Sequence, residues 1–313
     1  MMECTDRHGR YFLRQCSRRV LLYSEMITAA AVRHGKREFL LAFDVAEHPV
    51  ALQLGGGDPA ELVVAAKLGQ AAGYGEINLN VGCPSDRVKS GRFGACLMAE
   101  PELVARCVAA MVDAVDLPVT VKCRIGINGR DSFEQLRSFA SLLVGAGMAS
   151  LAVHARIAIL EGLSPKQNRE IPPLNYDRVY RLKDELPALE IILNGGVRSL
   201  ADAAQHLQHV DGVMIGRAAF EDPYILAEAD RRIFADSGAI PSRHDIARAM
   251  QPYAERAITN GARLNHITRH MLGLFHARPG ARIWRRYLSE NVLKPGAGPE
   301  VIEQALALVS EAG

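Results

Sequence analysis

No run of apolar residues in this chain approaches the roughly 18 that a membrane-spanning helix needs. No charged-then-apolar leader opens it either, so a cytoplasmic globular protein is expected. A G-x-G-x-x-G motif is absent, which argues against a dinucleotide resident in a Rossmann crevice. The six cysteines, Cys4, Cys16, Cys83, Cys96, Cys107 and Cys123, contain no C-x-x-C pair and no zinc spacing. A chain of 313 residues needs no covalent staples, so they read as reduced thiols and no metal is expected. Net charge is only +2, so the molecule as a whole is no obvious polyanion binder. There is no internal repeat and no low-complexity segment. Nothing calls for an obligate protein partner, and a monomer is expected.

What is present alternates. Short apolar runs stand at 20–25, 49–56, 76–82, 119–126, 150–156, 190–196 and 211–217. They are nearly continuous rather than alternating, as in parallel strands covered on both faces. Helical segments separate them. Asp58, Pro59 and Glu61 mark one helix start, and Gly73 its stop. Ser199 to Asp202 opens another, and the helix from Asn175 ends before Pro187.

Polar or special residues cluster at the C-terminal ends of these strands: Glu25, Gln53, Asn80 with Cys83, Lys122, His154, Asn194 and Arg217. Barrel enzymes build their sites on that rim. An open doubly wound sheet would gather such groups at one switch point. The fold class expected is therefore α/β, a (β/α)8 TIM barrel over residues 1–240. Seven strands are read where eight are needed, so the first strand is expected to be truncated and the natural start to lie upstream. Residues 241–313 carry helical periods only and form an all-helical domain. Between Arg243 and Lys294 ten Lys/Arg face three Asp/Glu, and the only tryptophan, Trp284, lies there too. The positive charge is concentrated in this region.

Each rim residue admits a plain reading beside a functional one. Lys122 forms a Schiff base, holds an anion or snorkels out of its strand end. Asn194-Gly195-Gly196 and Gly216-Arg217 end the last two strands, where backbone N–H groups and an arginine suit a phosphate; Asn-Gly is also a common turn dipeptide. His154 is a packed core histidine or a member of the rim site. Gln53 and Asn80 suit the edge of a heterocycle. Cys83 sits in a loop after a strand rather than inside an element. There a thiol reaches a bound substrate, as a general acid if protonated and a nucleophile if activated. Asp86, Arg87 and Lys89 shape that loop or meet phosphates.

The segment "NLNVGCPSDRVKSGRFGACLM" resembles the active-site signature of the tRNA-dihydrouridine synthases. "EHPVALQLGG", "VTVKCRIGI", "HARIAILEGLSPKQNREIPPL", "LNGGVRSLADA" and "GVMIGRAAFEDPYIL" look like the family's flavin-binding and rim segments. "HITRHMLGLFHARPGARIWRRYLSEN" is similar to the helical domain of its subfamily A. The resemblance covers essentially the whole chain. It implies an FMN-dependent barrel that reduces uracil in tRNA with NADPH, at D-loop uridines 20 and 20a. It implies Cys83 as proton donor to C5, with hydride from the flavin to C6, and Asn80 facing the uracil. Gln53, Lys122 and His154 would contact the flavin ring, Gly195, Gly196, Gly216 and Arg217 would bind its phosphate, and Asn194 would belong to the same cofactor site. Met1 and Met2 would line the flavin, while Lys166, Arg169, Arg282 and Arg285 would meet tRNA phosphates.

Some positions depart from the family pattern. The "APMM"-like turn is replaced by an opening at Met1-Met2. Cys4 stands where a tryptophan is common, Cys123 where a threonine is, and Ile157 where lysine is frequent. Other readings share parts of the pattern: an FMN barrel acting on a free pyrimidine or dihydroorotate, an aldolase-like barrel, or a non-catalytic RNA-binding protein.

Overall fold

The computed structural model of the chain describes residues 1–85, 91 and 93–310. Its sheet is all parallel. The strands are β1 (Leu22–Tyr23), β2 (Ile27–Thr28), β3 (Val50–Gly55), β4 (Glu76–Val81), β5 (Val119–Arg124), β6 (Ser150–His154), β7 (Glu190–Asn194) and β8 (Gly212–Met214). Both β1 and β2 pair with β3, and the order then follows the chain from β3 to β8. Helices cover the outside of this curled sheet, which is the (β/α)8 barrel architecture, and a helical C-terminal region follows. Every residue of β3 and β4 is buried, as their near-continuous apolar runs require.

Of the run expected as a strand at 20–25 only Leu22–Tyr23 is strand, and a second short strand, Ile27–Thr28, follows beyond it, because Ser24 interrupts the ladder. Its hydroxyl accepts the Gln53 N–H at 2.9 Å and donates to the Glu25 carbonyl at 2.8 Å. Among the described residues no ladder joins β8 to β1. The N-terminal residues lie there instead, folded as a turn in which the N–H groups of Cys4 and Thr5 reach the Met1 carbonyl. Met1 Sδ lies 3.5 Å from where a Cβ on Gly216 would stand, and the Glu3 N–H donates to the Glu25 carboxylate. The turn thus touches both open edges of the sheet.

Local chemistry sets the crossovers. The Asp58 side chain accepts the Glu61 N–H, Pro59 opens the helix Pro59–Ala72, and Gly73 closes it at φ +98°. Gly69 in that helix is a close-packing point, since a Cβ there would come within 2.5 Å of Leu52. Ser132 and Ser199 cap the helices Phe133–Gly145 and Leu200–His206 with full capping boxes.

Beside one small cluster, of Ala95, Ile127 and Ala158, two large apolar cores result among the described residues. One fills the space between strands and outer helices, from Leu22 to Val210. The other is built on Trp284, Met250, Ile267 and Leu288 of the C-terminal helices and also takes in Phe12 and Cys16. The N-terminal helix Arg7–Cys16 therefore packs with the C-terminal region, and Tyr11 stacks on Tyr253 at 3.9 Å. Asp6 pins this contact. Its carboxylate accepts the Gly9 N–H, meets His270 Nε2 at 2.9 Å and pairs with Arg269 at 2.5 Å. Burial pushes the Asp6 carboxyl up, but the bonds from His270, Gly9 and Arg269 outweigh it and hold it well below the usual carboxylate range. Replacing Asp6 by alanine removes a helix cap, the ion pair with Arg269 and the contact with His270. The expected loss is about 1–3 kcal/mol in urea unfolding at neutral pH, the scale for hydrogen bonds to charged groups; an unchanged midpoint would show that the contact carries no stability.

Candidate active site

The register of the sheet brings the rim residues level. Asn80 lies opposite Lys122, and Arg124, His154, Asn194 and Met214 follow one another across β5 to β8. Residues two apart on a strand share a face, so Gln53, Asn78 with Asn80, and Lys122 with Arg124 turn the same way. Each lies on the inner side, away from the outer core.

Asn80 shapes the turn that carries Cys83. Its Oδ1 accepts the N–H groups of Gly82 at 3.1 Å and Cys83 at 3.0 Å, and its Nδ2 donates to Gln53 Oε1 at 2.9 Å. The Cys83 carbonyl accepts the Ala95 N–H, and its thiol lies 3.5 Å from the Ser85 hydroxyl. The thiol is half-buried. Asp86, Arg87 and Lys89 lie outside the described residues.

Lys122 lies on the inner side of β5 and donates from Nζ to Asn194 Oδ1 at 2.9 Å. Asn194 in turn donates to the Met214 carbonyl at 2.7 Å. Burial, then the Arg124 charge, lowers the Lys122 ammonium to about 8. His154 is held neutral: burial, then the charges of Arg124, Lys122, Arg156 and Arg217, push its imidazolium far below the usual range. Its Nδ1 is buried with no partner. A neutral ring among four cations, with an unused nitrogen, is a site prepared for an anionic or polar ligand.

The loop after β7 supports the same use. Gly195 and Gly196 adopt φ of +109° and +76°, and a Cβ on Gly196 would lie 2.5 Å from the Tyr176 hydroxyl. That hydroxyl donates to the Gly195 carbonyl at 2.8 Å. Arg217 pairs with Glu170 at 3.1 Å and reaches the Arg169 carbonyl at 3.4 Å. Arg156 donates to the Pro172 carbonyl, and the Nε atoms of Arg156 and Arg169 are buried without partners. Lys166 and Arg169, like Arg156, belong to the loop after β6, at the turn Gln167–Arg169. Arg282 and Arg285 are elsewhere: with His276 and Arg278 they line a surface cleft beside the helix Ala281–Asn291. Among the described residues no group of three or more His, Cys, Asp or Glu side chains is placed to hold a metal.

Comparison with known proteins decides the family. The profile of the dihydrouridine synthases (Dus) matches residues 1–310. The chain belongs to the dihydrouridine synthase family. Among its curated relatives are tRNA-dihydrouridine(20/20a) synthases. That of Vibrio vulnificus (strain CMCP6) is 57% identical over 312 residues, 99% of this chain and 95% of the relative. That of Escherichia coli (strain K12) is 58% identical over 312 residues, 99% of this chain and 90% of the relative. That of Synechocystis sp. (strain ATCC 27184 / PCC 6803 / Kazusa) is 57% identical over 306 residues, 98% and 92%. Membership makes the chain an enzyme of uridine reduction.

Within this dihydrouridine synthase fold, the residue that sequence reasoning passed over is Arg124. It is 4% exposed. Its Nε donates to the Gly82 carbonyl at 3.2 Å, and its Nη1 to the carbonyls of Ile157 at 3.3 Å and Asn168 at 3.0 Å. It therefore ties the Cys83 turn to the loop that carries Lys166 and Arg169. The signal was its place two residues beyond Lys122 on the same strand face. Tyr176 gave none, because only the folded chain brings it to Gly195. Replacing Arg124 by methionine leaves three carbonyls without their donor. Stability is expected to fall by roughly 1–3 kcal/mol, with limited proteolysis concentrated between residues 157 and 171; cleavage spread evenly over the chain would refute the tie.

Proposed function

We propose that the chain is a tRNA-dihydrouridine(20/20a) synthase, which reduces uridine to 5,6-dihydrouridine in the D-loop of tRNA with FMN as resident cofactor and NADPH as reductant. The observation that carries the reading is one sheet rim holding a half-buried thiol, a lysine whose ammonium is lowered to about 8, a neutral histidine with an unpartnered ring nitrogen and, beside them, a loop shaped by two glycines and an arginine-bearing loop. Relatives 57–58% identical over nearly the whole chain support it.

The residues present fit FMN. His154 Nδ1 lacks a partner and Gly195 and Gly196 leave backbone open where side chains would clash, which suits a phosphate and a flat ring. Gly195, Gly196, Gly216 and Arg217 would hold the phosphate, with Asn194 orienting Lys122 toward the ring. Gln53 has one N–H engaged by Asn78 and its oxygen by Asn80, leaving one N–H for the flavin. Met1 and Met2 would cover the ring from the N-terminal turn. Bound FMN supplies the hydride that adds to C6 of the uracil.

The chain's own residues supply the rest. Cys83 holds a proton on Sγ and delivers it to C5, the atom that gains it when the double bond is saturated. Asn80 sets the turn that aims that thiol and offers its remaining N–H to the base. The Lys122 cation stabilises negative charge on the reduced cofactor. Lys166 and Arg169 beside the cleft, and Arg282 and Arg285 on the helical domain 241–313, meet tRNA phosphates, while the target base leaves its stack to enter the pocket. The described cysteines form no disulfide, as in a reducing, cytoplasmic setting, and we take the enzyme to act as a monomer.

Purified protein should carry a flavin band near ~450 nm. Cys83→Ala should retain the flavin and its reduction by NADPH, yet oxidise the reduced flavin with tRNA roughly 100-fold more slowly. Both half-reactions are read by stopped-flow absorbance. A folded protein that neither holds nor takes up FMN ends the proposal, and a wild-type rate in Cys83→Ala ends the role of the thiol.

Lys122 adds a pH dependence. With its ammonium lowered to about 8, its charge is present below that pH and lost above it. FMN affinity, measured by quenching of flavin fluorescence, should therefore fall as pH rises through about 8. Lys122→Met should bind more weakly and show no such step; a step that persists in the variant belongs to another group.

A further inference from the structure

Gln53 does more than line the cleft. Below the Cys83 turn a single hydrogen-bonded chain runs through the barrel interior. The N–H of Cys83 donates to Asn80 Oδ1 at 3.0 Å, and Asn80 Nδ2 to Gln53 Oε1 at 2.9 Å. Gln53 Nε2 donates to Asn78 Oδ1 at 2.9 Å, and Asn78 Nδ2 to Thr120 Oγ1 at 2.8 Å. The Thr120 hydroxyl then donates to Glu76 Oε1 at 2.5 Å, which also accepts from the Tyr23 hydroxyl at 2.9 Å. Asn78 is 1% exposed, Thr120 3%, and Gln53, Asn80 and Glu76 8% each.

The direction of this chain is not arbitrary. A backbone N–H can only donate, so Asn80 must turn its oxygen to Gly82 and Cys83. Its amide nitrogen then faces Gln53, and each following amide is forced the same way. Thr120 can pass the order on because a hydroxyl accepts and donates at once. Glu76 ends the series as an acceptor. Aligned bonds of this kind polarise one another, so each is stronger for the presence of the next.

We infer that Thr120, Asn78 and Glu76 are positioning residues for Cys83, acting through Gln53 and Asn80 to hold the turn that aims the thiol. Glu76 lies at the far end of β4, about 16 Å of extended strand from Val81, and touches nothing in the cleft. The inference deepens the proposed reaction and rests on it for the thiol's role, but the geometry it describes is a property of the chain alone.

The test is hydrogen exchange, read by mass spectrometry on peptides covering residues 79–85 of the purified full chain, with neither tRNA nor NADPH present. Wild-type amides of Gly82 and Cys83 should exchange at least 100-fold more slowly than an open loop. Exchange at the open-loop rate would overturn the inference without any variant. Thr120→Val, similar in shape but unable to relay, should speed exchange at these two amides at least tenfold. Thr120→Ser, which keeps the hydroxyl, should restore it. Val121→Ala, on the opposite face of the same strand, should not speed exchange there beyond what its loss of overall stability explains. Wild-type protection in Thr120→Val, or equal acceleration in Val121→Ala, would overturn the inference. In turnover Thr120→Val should lower kcat for tRNA about tenfold with KM unchanged, and Thr120→Ser should recover it. If exchange responds as stated while no dihydrouridine forms even in the wild type, the proposed function fails and the positioning chain stands.

Discussion

The parallel register from β4 to β8 is the constraint on which the rest depends. It sets Asn80 opposite Lys122, and lines up Arg124, His154, Asn194 and Met214 across four strands. A slip of one residue on any strand would turn its polar residues outward into the apolar layer. The outer face resists such a slip, because Val121, Cys123, Leu151, Val153, Ile191 and Leu193 are all fully buried against helices. Packing on one face therefore fixes the chemistry on the other.

Four cations, Arg124, Lys122, Arg156 and Arg217, stand around His154 at this rim, which is costly unless each finds partners. Arg124 satisfies its guanidinium on three backbone carbonyls rather than on a carboxylate. Lys122 has one amide oxygen and a lowered proton affinity. His154 avoids the cost by staying neutral. Only Arg217, at the mouth, meets a carboxylate, that of Glu170. Among the described residues no carboxylate pairs with Lys122 or Arg124.

The second core couples this rim to the basic helices. Phe12 and Cys16 enter it from the N-terminal helix, and Asp6 is bound to Arg269 and His270. The buried Arg10–Glu47 pair, at 2.6 Å, and Arg14, which donates to the Glu47 and Pro49 carbonyls, tie the same helix to the segment leading into β3. The N-terminal helix is thus fastened both to the C-terminal helices and to the barrel.

Much of this was legible in the chain. Near-continuous apolar runs announced parallel strands, capping residues announced the helices between them, and polar residues at strand ends marked the rim. Cys83 stood out because nothing in its loop asked for a buried thiol. Local pattern suffices for these because each depends on neighbours a few residues away. The interruption at Ser24, the tie made by Arg124, the seat of Tyr176 beneath Gly195 and the chain from Cys83 to Glu76 were not legible. Each joins residues dozens of positions apart, and the partner of an asparagine or arginine is set by which strand lies beside it and at what height. Periodicity determined which residues face inward; only the register of the closed-up strands decided which of them touch, because hydrogen bonds form between neighbours in space and not in sequence.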